Sequence, residues 1–152
     1  MLRPPLPSDE QFLIALTERL AAFPLPPWRT AAEVAAADHP ILLDALRRPS
    51  PDSLVLVAEP EPGQRAGFIF ATTRTDYFTG QPQGYIEVLA VVPGMERRGI
   101  GRALMDGAEQ WARSLGYTQM TLNVFARNEA ARAVYDRLGY EPELLRYWKQ
   151  LT

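Results

Sequence analysis

The stretch YIEVLAVVPGMERRGIGR (85–102) constrains this chain more than any other, because it prescribes a strand, a sharp break and a helix in that order. Tyr85, Glu87, Leu89 and Val91 alternate with Ile86, Val88, Ala90 and Val92, apolar on both sides except for one carboxylate. Such a segment reads as a central strand covered on each face. Pro93 has no N–H for a sheet ladder and ends it. Gly99 and Gly101 permit a tight turn and let a ligand approach the backbone where a Cβ would intervene. From Ile100, the residues Leu104, Ala108, Trp111 and Leu115 follow at helical spacing. Free N–H groups at that helix start, beside Arg97, Arg98 and Arg102, suit a phosphate or pyrophosphate.

Two nucleotide motifs fail on this stretch. A dinucleotide fingerprint needs a third glycine where Leu104 stands, and a phosphate-binding loop needs Lys-Ser or Lys-Thr where Arg102 and Ala103 stand. By spacing alone, Gly99 and Gly101 could still mark a plain strand-to-helix turn.

At 152 residues with 47% hydrophobic content, the chain is expected to be a single domain (1–152) with a real core. A net charge of −2 argues against a nucleic-acid partner. The absence of cysteine excludes disulfides and thiolate chemistry, and a single histidine, His39, leaves no metal cluster and no Ser-His-Asp triad. His39 itself reads as a helix-break or surface residue. No apolar run reaches membrane-spanning length and the N-terminus lacks a hydrophobic signal core, so no membrane partner and a cytoplasmic location are expected.

Along the chain, Ser8 or Asp9 is positioned to cap a helix running to about Phe23, with Phe12, Leu13, Leu16 and Leu20 on its apolar stripe. Thr30 caps a second helix, expected to break near Asp38-His39-Pro40. SLVLVAE (53–59) and AGFIFATT (66–73) form a hairpin pair, and 76–84 is a loop with two exposed aromatics. The central strand and glycine-rich helix follow, ending at Gly116. TQMTLNVF (118–125) is a strand, Asn128 starts a helix closed by Gly139, and LLRYWKQL (144–151) is a last strand. The fold class is α/β (mixed α+β): a central mixed, mostly antiparallel sheet with helices on both faces.

The segments LAVVPGMERRGIGRAL (89–104) and LNVFARNEAARAVYDRLGY (122–140) together resemble the GNAT superfamily of acetyl-CoA-dependent N-acetyltransferases, and the likeness covers roughly 53–150. A GNAT-like fold is therefore implied, with its first strand falling within Leu2–Pro5. The resemblance implies acetyl-CoA as cosubstrate and no metal. It assigns the pyrophosphate to backbone groups from about Arg97 through Arg98, Gly99, Ile100, Gly101 and Arg102, and the pantetheine arm to the backbone of Leu89, Ala90 and Val91. Asn128 would contact the same arm, although an N-cap role explains it equally. Glu96 departs from the family, which prefers Gln or Arg there, and its side chain is expected to turn away. GNAT proteins often pair, so a homodimer through the C-terminal strand is an expectation from the resemblance.

Acetyl transfer from a thioester to an amine requires that the amine lose a proton and the departing thiolate gain one. A thiolate of pKa about 8.5 can take a proton or hydrogen bond from a tyrosine of pKa about 10. Tyr135 stands at the family's matching position, whereas helical spacing alone would make it an ordinary core aromatic. Glu87, the one charge in an apolar strand, is the candidate base. It could equally orient substrate or join an ion pair, with Tyr85 or a water chain taking the proton. A base on the following strand is ruled out, because Asn123 stands there. Trp28, Tyr77, Phe78, Tyr147 and Trp148 fall in segments that border the acceptor cleft in the family. The expected function is transfer to a primary amine, whether a small molecule, an amino-sugar or a peptide N-terminus. A non-catalytic CoA-binding sensor of the same fold would carry the same donor motif.

Overall fold

A computed structural model describes residues 1–20 and 23–152. Its strands are β1 (Leu2–Arg3), β2 (Ser53–Ala58), β3 (Gly67–Thr75), β4 (Pro82–Val91) and β5 (Met120–Leu122). Its α-helices are α1 (Glu10–Leu20), α2 (Ala31–Arg47), α3 (Ile100–Ser114) and α4 (Glu129–Arg137). The strands form one sheet in chain order. β1 to β4 pair antiparallel and β4 pairs parallel with β5. The mixed, mostly antiparallel sheet expected from the sequence is present.

Each face carries its own apolar cluster. α1 and α2 cover Val57, Phe68, Phe70 and Ala90 with Leu13, Leu16 and Leu42. Burying each of the large side chains here contributes about 1.5–3 kcal/mol. On the other face α3 packs Ile100, Leu104, Met105 and Ala108 against Ile69, Ala71 and Ile86. Gly107 lets α3 come close, since a Cβ there would lie 2.8 Å from Leu56 Cδ1. α4 contributes only half-buried Tyr135 and Leu138 to that cluster. The chain start is tied down by charge. Buried Asp9 accepts from Arg3 at 2.7 Å and 3.1 Å and from the Leu6 N–H at 2.7 Å.

Several sequence expectations are corrected. The second helix does not break at Asp38-His39-Pro40, and α2 runs through Pro40. Buried Ala35 and Leu42 lie on either side of the proline, Leu42 packed against the sheet, and that packing outweighs one missing hydrogen bond. Residues 144–151 form no strand and lie exposed among the last residues of the chain. The strand expected over 118–125 shrinks to β5, because its partner diverges beyond Leu122. The loop expected over 76–84 is shorter, with Pro82, Gln83 and Gly84 already in β4. Asp9 acts in an ion network after a short 3-10 turn (Pro7–Asp9), and no cap bond from Ser8 forms. The expected end of the first helix falls partly on residues 21–22 and the Leu20 side chain, outside the described parts.

Candidate active site

Glu87 breaks the alternation of β4. Residues 88–91 pair with 70–67 and residues 82–86 with 75–71, leaving Glu87 as the extra residue of a β-bulge. The bulge reverses which side chains face which way. Val88, Ala90 and Val92 pack toward α1 and α2, whereas Ile86, Leu89 and Val91 pack toward α3. Tyr85 and Glu87 therefore belong to the α1–α2 face, and the expected single stripe of Tyr85, Glu87, Leu89 and Val91 is split between two faces.

The bulge also sets the free edge. The Val92 N–H donates to Ala66 O at 2.8 Å, so by antiparallel alternation Ala90 and Val88 turn their backbone groups to β3. Leu89 and Val91 turn theirs the other way. On that side β4 and β5 last pair at Ile86 and Leu122, so the N–H and C=O groups of Leu89 and Val91 border an open gap. Ala90 is thus removed from the expected backbone contacts.

The gap leads into the turn before α3. Gly94 (φ 91°), Arg97 (φ 65°) and Gly99 (φ 77°) take left-handed conformations. For Arg97 that costs roughly 1–2 kcal/mol. Left-handed residues spaced in this way can turn backbone N–H groups to one side, a geometry that suits an anion. The first bond of α3 runs from Ala103 N–H to Gly99 O at 3.0 Å. The N–H groups of Gly99, Ile100, Gly101 and Arg102 thus have no partner among the described residues. Exposed Arg97, Arg98 and Arg102 form no ion pair among those residues. The Ile100 side chain is buried in the core, so only its N–H is available. Gly101 does not need to be glycine for packing or strain: a Cβ would approach only Val91 Cγ2, at 3.9 Å. The hollow it leaves fits an outside group. Glu96 turns back, accepting from the Gly94 N–H at 2.7 Å, as expected for a carboxylate beside an anion site.

On the α1–α2 face, Glu87 Oε1 accepts from Thr72 Oγ1 at 2.8 Å and from Arg74 Nη2 at 2.7 Å. The Arg74 guanidinium also lies 4.1 Å from the Tyr85 ring centre. Its own pKa rises because of the Glu87 bond. Half-buried Asp38 of α2 faces this group. Burial first, then the Glu87 charge, push its carboxyl above the usual range, with His39 opposing. Tyr85 is likewise raised, mainly by burial and then by Glu87, while Arg74 draws it down. Asp38 and Arg74 escaped the sequence reading. A signal existed for Asp38: it stands three residues after Ala35 and four before Leu42, on one helical face. Placing a helix break at Pro40 hid it.

Tyr135 is half-buried on the α3 side, in the cluster that includes Leu89 and Val91. Its ring lies 6.1 Å from that of Tyr140, and burial raises its pKa. Its hydroxyl is neither bonded to a described residue nor enclosed. Asn128 caps α4, its Oδ1 accepting from Ala131 N–H at 3.2 Å. Tyr135 and Glu87 thus lie on opposite faces of the sheet. Beyond the gap, Phe125 packs against Phe23 at 5.4 Å, and Trp148 stacks on Trp28 at 4.3 Å. Tyr77 and Phe78 remain exposed at the β3–β4 tip. Among the described residues no group of His, Cys, Asp and Glu side chains is placed to hold a metal ion, and no helix is long and apolar enough to cross a membrane.

These features place the chain beside the acetyltransferase (GNAT) family. Its sequence profile matches residues 14–140, and the chain belongs to that family. Over 86 residues the chain is 36% identical to a mycothiol acetyltransferase of Propionibacterium freudenreichii subsp. shermanii, covering 57% of this chain and 27% of that protein. It is 28% identical over 82 residues to an aminoglycoside N(6')-acetyltransferase type 1 of Salmonella typhimurium, covering 52% of this chain and 57% of the relative. The chain therefore spans about a quarter to rather more than half of these relatives' length. An AAC(6')-Iy structure in complex with the bisubstrate analog CoA-S-monomethyl-acetylneamine superimposes with a TM-score of 0.72 at 21% identity, covering 100% of this chain and 98% of that one. At that identity the likeness speaks for the fold.

Proposed function

We propose that residues 1–152 form one acyltransferase domain that passes an acetyl group from acetyl-CoA directly to a primary amine. The observation that carries this reading is the open edge at Leu89 and Val91, followed in the chain by the unpartnered N–H groups of Gly99, Ile100, Gly101 and Arg102. When bound, acetyl-CoA supplies an acyl carbon activated by its thioester. The Leu89 and Val91 backbones hold the pantetheine arm and aim N–H groups at the carbonyl oxygen, where donors stabilise developing charge. The N–H groups before and within the first turn of α3 hold the pyrophosphate, helped by Arg97, Arg98 and Arg102. Asn128 bonds the arm through the amide nitrogen its cap leaves free. Glu87 orients the amine and receives its proton, directly or through water. Tyr135 donates to the departing thiolate, its raised pKa keeping the proton on the hydroxyl at neutral pH.

The acceptor is a small-molecule or peptide amine, with amino-sugars in view because five relatives carry aminoglycoside acetyltransferase in their names. A cytoplasmic setting without nucleic-acid or membrane partners completes the reading. Exposed Leu144, Leu145, Tyr147 and Leu151 in the terminal segment make a homodimer contact part of it.

Purified protein titrated with acetyl-CoA, with NAD and ATP as controls, tests the donor side. A concentration-dependent rise in Tm for acetyl-CoA alone is expected by mass action. Thiol release with an amine panel then tests transfer. No shift at millimolar acetyl-CoA would overturn the reading.

A further inference from the structure

α2 turns toward the sheet a carboxylate with no hydrogen bond or ion pair among the described residues. It belongs to Asp38, which shares the helical face of buried Ala35 and Leu42. Its oxygens are not enclosed either, because the one enclosed and unpartnered side-chain polar atom among those residues is His39 Nε2. The carboxylate therefore opens onto space. Near it lie Tyr85 and Glu87 from β4 and neighbouring His39, whose Nε2 is 3.9 Å from Glu18 of α1. Arg74 is already committed, to Glu87 at 2.7 Å and to the Tyr85 ring at 4.1 Å. One cation thus serves two carboxylates, and the unserved one is half-buried. Such a charge is stabilised by a cation supplied from outside.

We propose that Asp38 is a specificity-determining residue of the acceptor site, binding a second cationic group on an acceptor whose reacting amine is served by Glu87. The site accordingly favours acceptors with two or more amino groups over monoamines. This rests on the acetyl-transfer reading, which leaves the amine open. The raised carboxyl of Asp38 supports it: as pH falls into that raised range the group is protonated, and its hold on a cation fades.

The test compares matched amines on the full chain by calorimetric titration and by steady-state kinetics. Neamine is set against glucosamine, and putrescine against butylamine. Wild type is expected to bind the polyamine of each pair about tenfold more tightly or better, the scale of one charge-assisted hydrogen bond. Asp38→Asn should erase that preference, raising KM for the polyamines with kcat kept and leaving the monoamines within about twofold. Asp38→Glu should restore part of it. Tm of Asp38→Asn should hold or rise, which separates this role from a structural one. The wild-type preference should also weaken on acidification, and the Asn variant's should stay flat. Equal losses for polyamines and monoamines, or no loss, would overturn the proposal. Asp38-dependent polyamine binding without acetylation of any amine would instead overturn the transfer reading and leave Asp38 standing.

Discussion

The two sides of the cleft are built in opposite ways. The donor side, as proposed, lies mainly in one stretch from Leu89 to Arg102 and consists largely of backbone groups at an open strand edge and helix start, with Asn128 added from the cap of α4. The proposed acceptor side draws on Asp38 of α2, Arg74 of β3 and Tyr85 and Glu87 of β4, and would work through side chains. A backbone site tolerates most side-chain changes but is blocked by one added in the wrong hollow. A side-chain site responds to the loss of a single charge. The donor side is thus suited to a constant partner, and the acceptor side to one that varies.

The sharpest attack on this contrast is Gly101→Trp. The hollow should fill while the fold survives, because a Cβ there meets only Val91 Cγ2. Acetyl-CoA should then give no thermal shift, with the unliganded Tm nearly unchanged. A retained shift would show that the helix start is not the donor site. On the acceptor side, Glu87→Gln should lower kcat/KM for amines by about a hundredfold, the usual scale for a positioned base, with acetyl-CoA affinity kept. If acetyl-CoA binding fell equally, the two sides would not be separable. Tyr135→Phe probes the junction, and kcat should drop roughly tenfold to a hundredfold with little change in either KM.

A control outside the cleft is Asp9. Arg3 and Leu6 hold its carboxyl down at about 2, against an ordinary value of 3.8. A depressed acid contributes stability above its unfolded pKa and loses it as pH falls through the folded one. This group therefore contributes about 2 kcal/mol at neutral pH, fading between pH 3.8 and about 2. Asp9→Asn should lower Tm at neutral pH, flatten the acid limb and leave the KM values alone. The smallest effect is expected from Trp148→Ala, which removes the 4.3 Å stack on Trp28 and about 1 kcal/mol. Denaturant midpoints and tryptophan fluorescence would register it.

The strand, turn and helix of the proposed donor side were legible in the sequence because their signals are local. Pro93, the glycines at 99 and 101 and the helical spacing from Ile100 act within one strand, turn and helix. Thr30 and Asn128 were readable as caps for the same reason, and both accept the expected N–H. The acceptor side was half legible. Glu87 stood out as a lone charge, but not Asp38, whose importance depends on which way a helix faces.

What the sequence alone determined is the order of elements as far as α4 and the strand–turn–helix unit, since propensity, capping and glycine conformation operate over a few residues. Tertiary structure decided the bulge at Glu87, the continuity of α2 through Pro40 and the unpaired chain end beyond Tyr140. Each depends on partners distant in sequence. A register shift needs β3 opposite it, a proline survives only where packing on both sides holds the helix, and a strand exists only if an edge receives it.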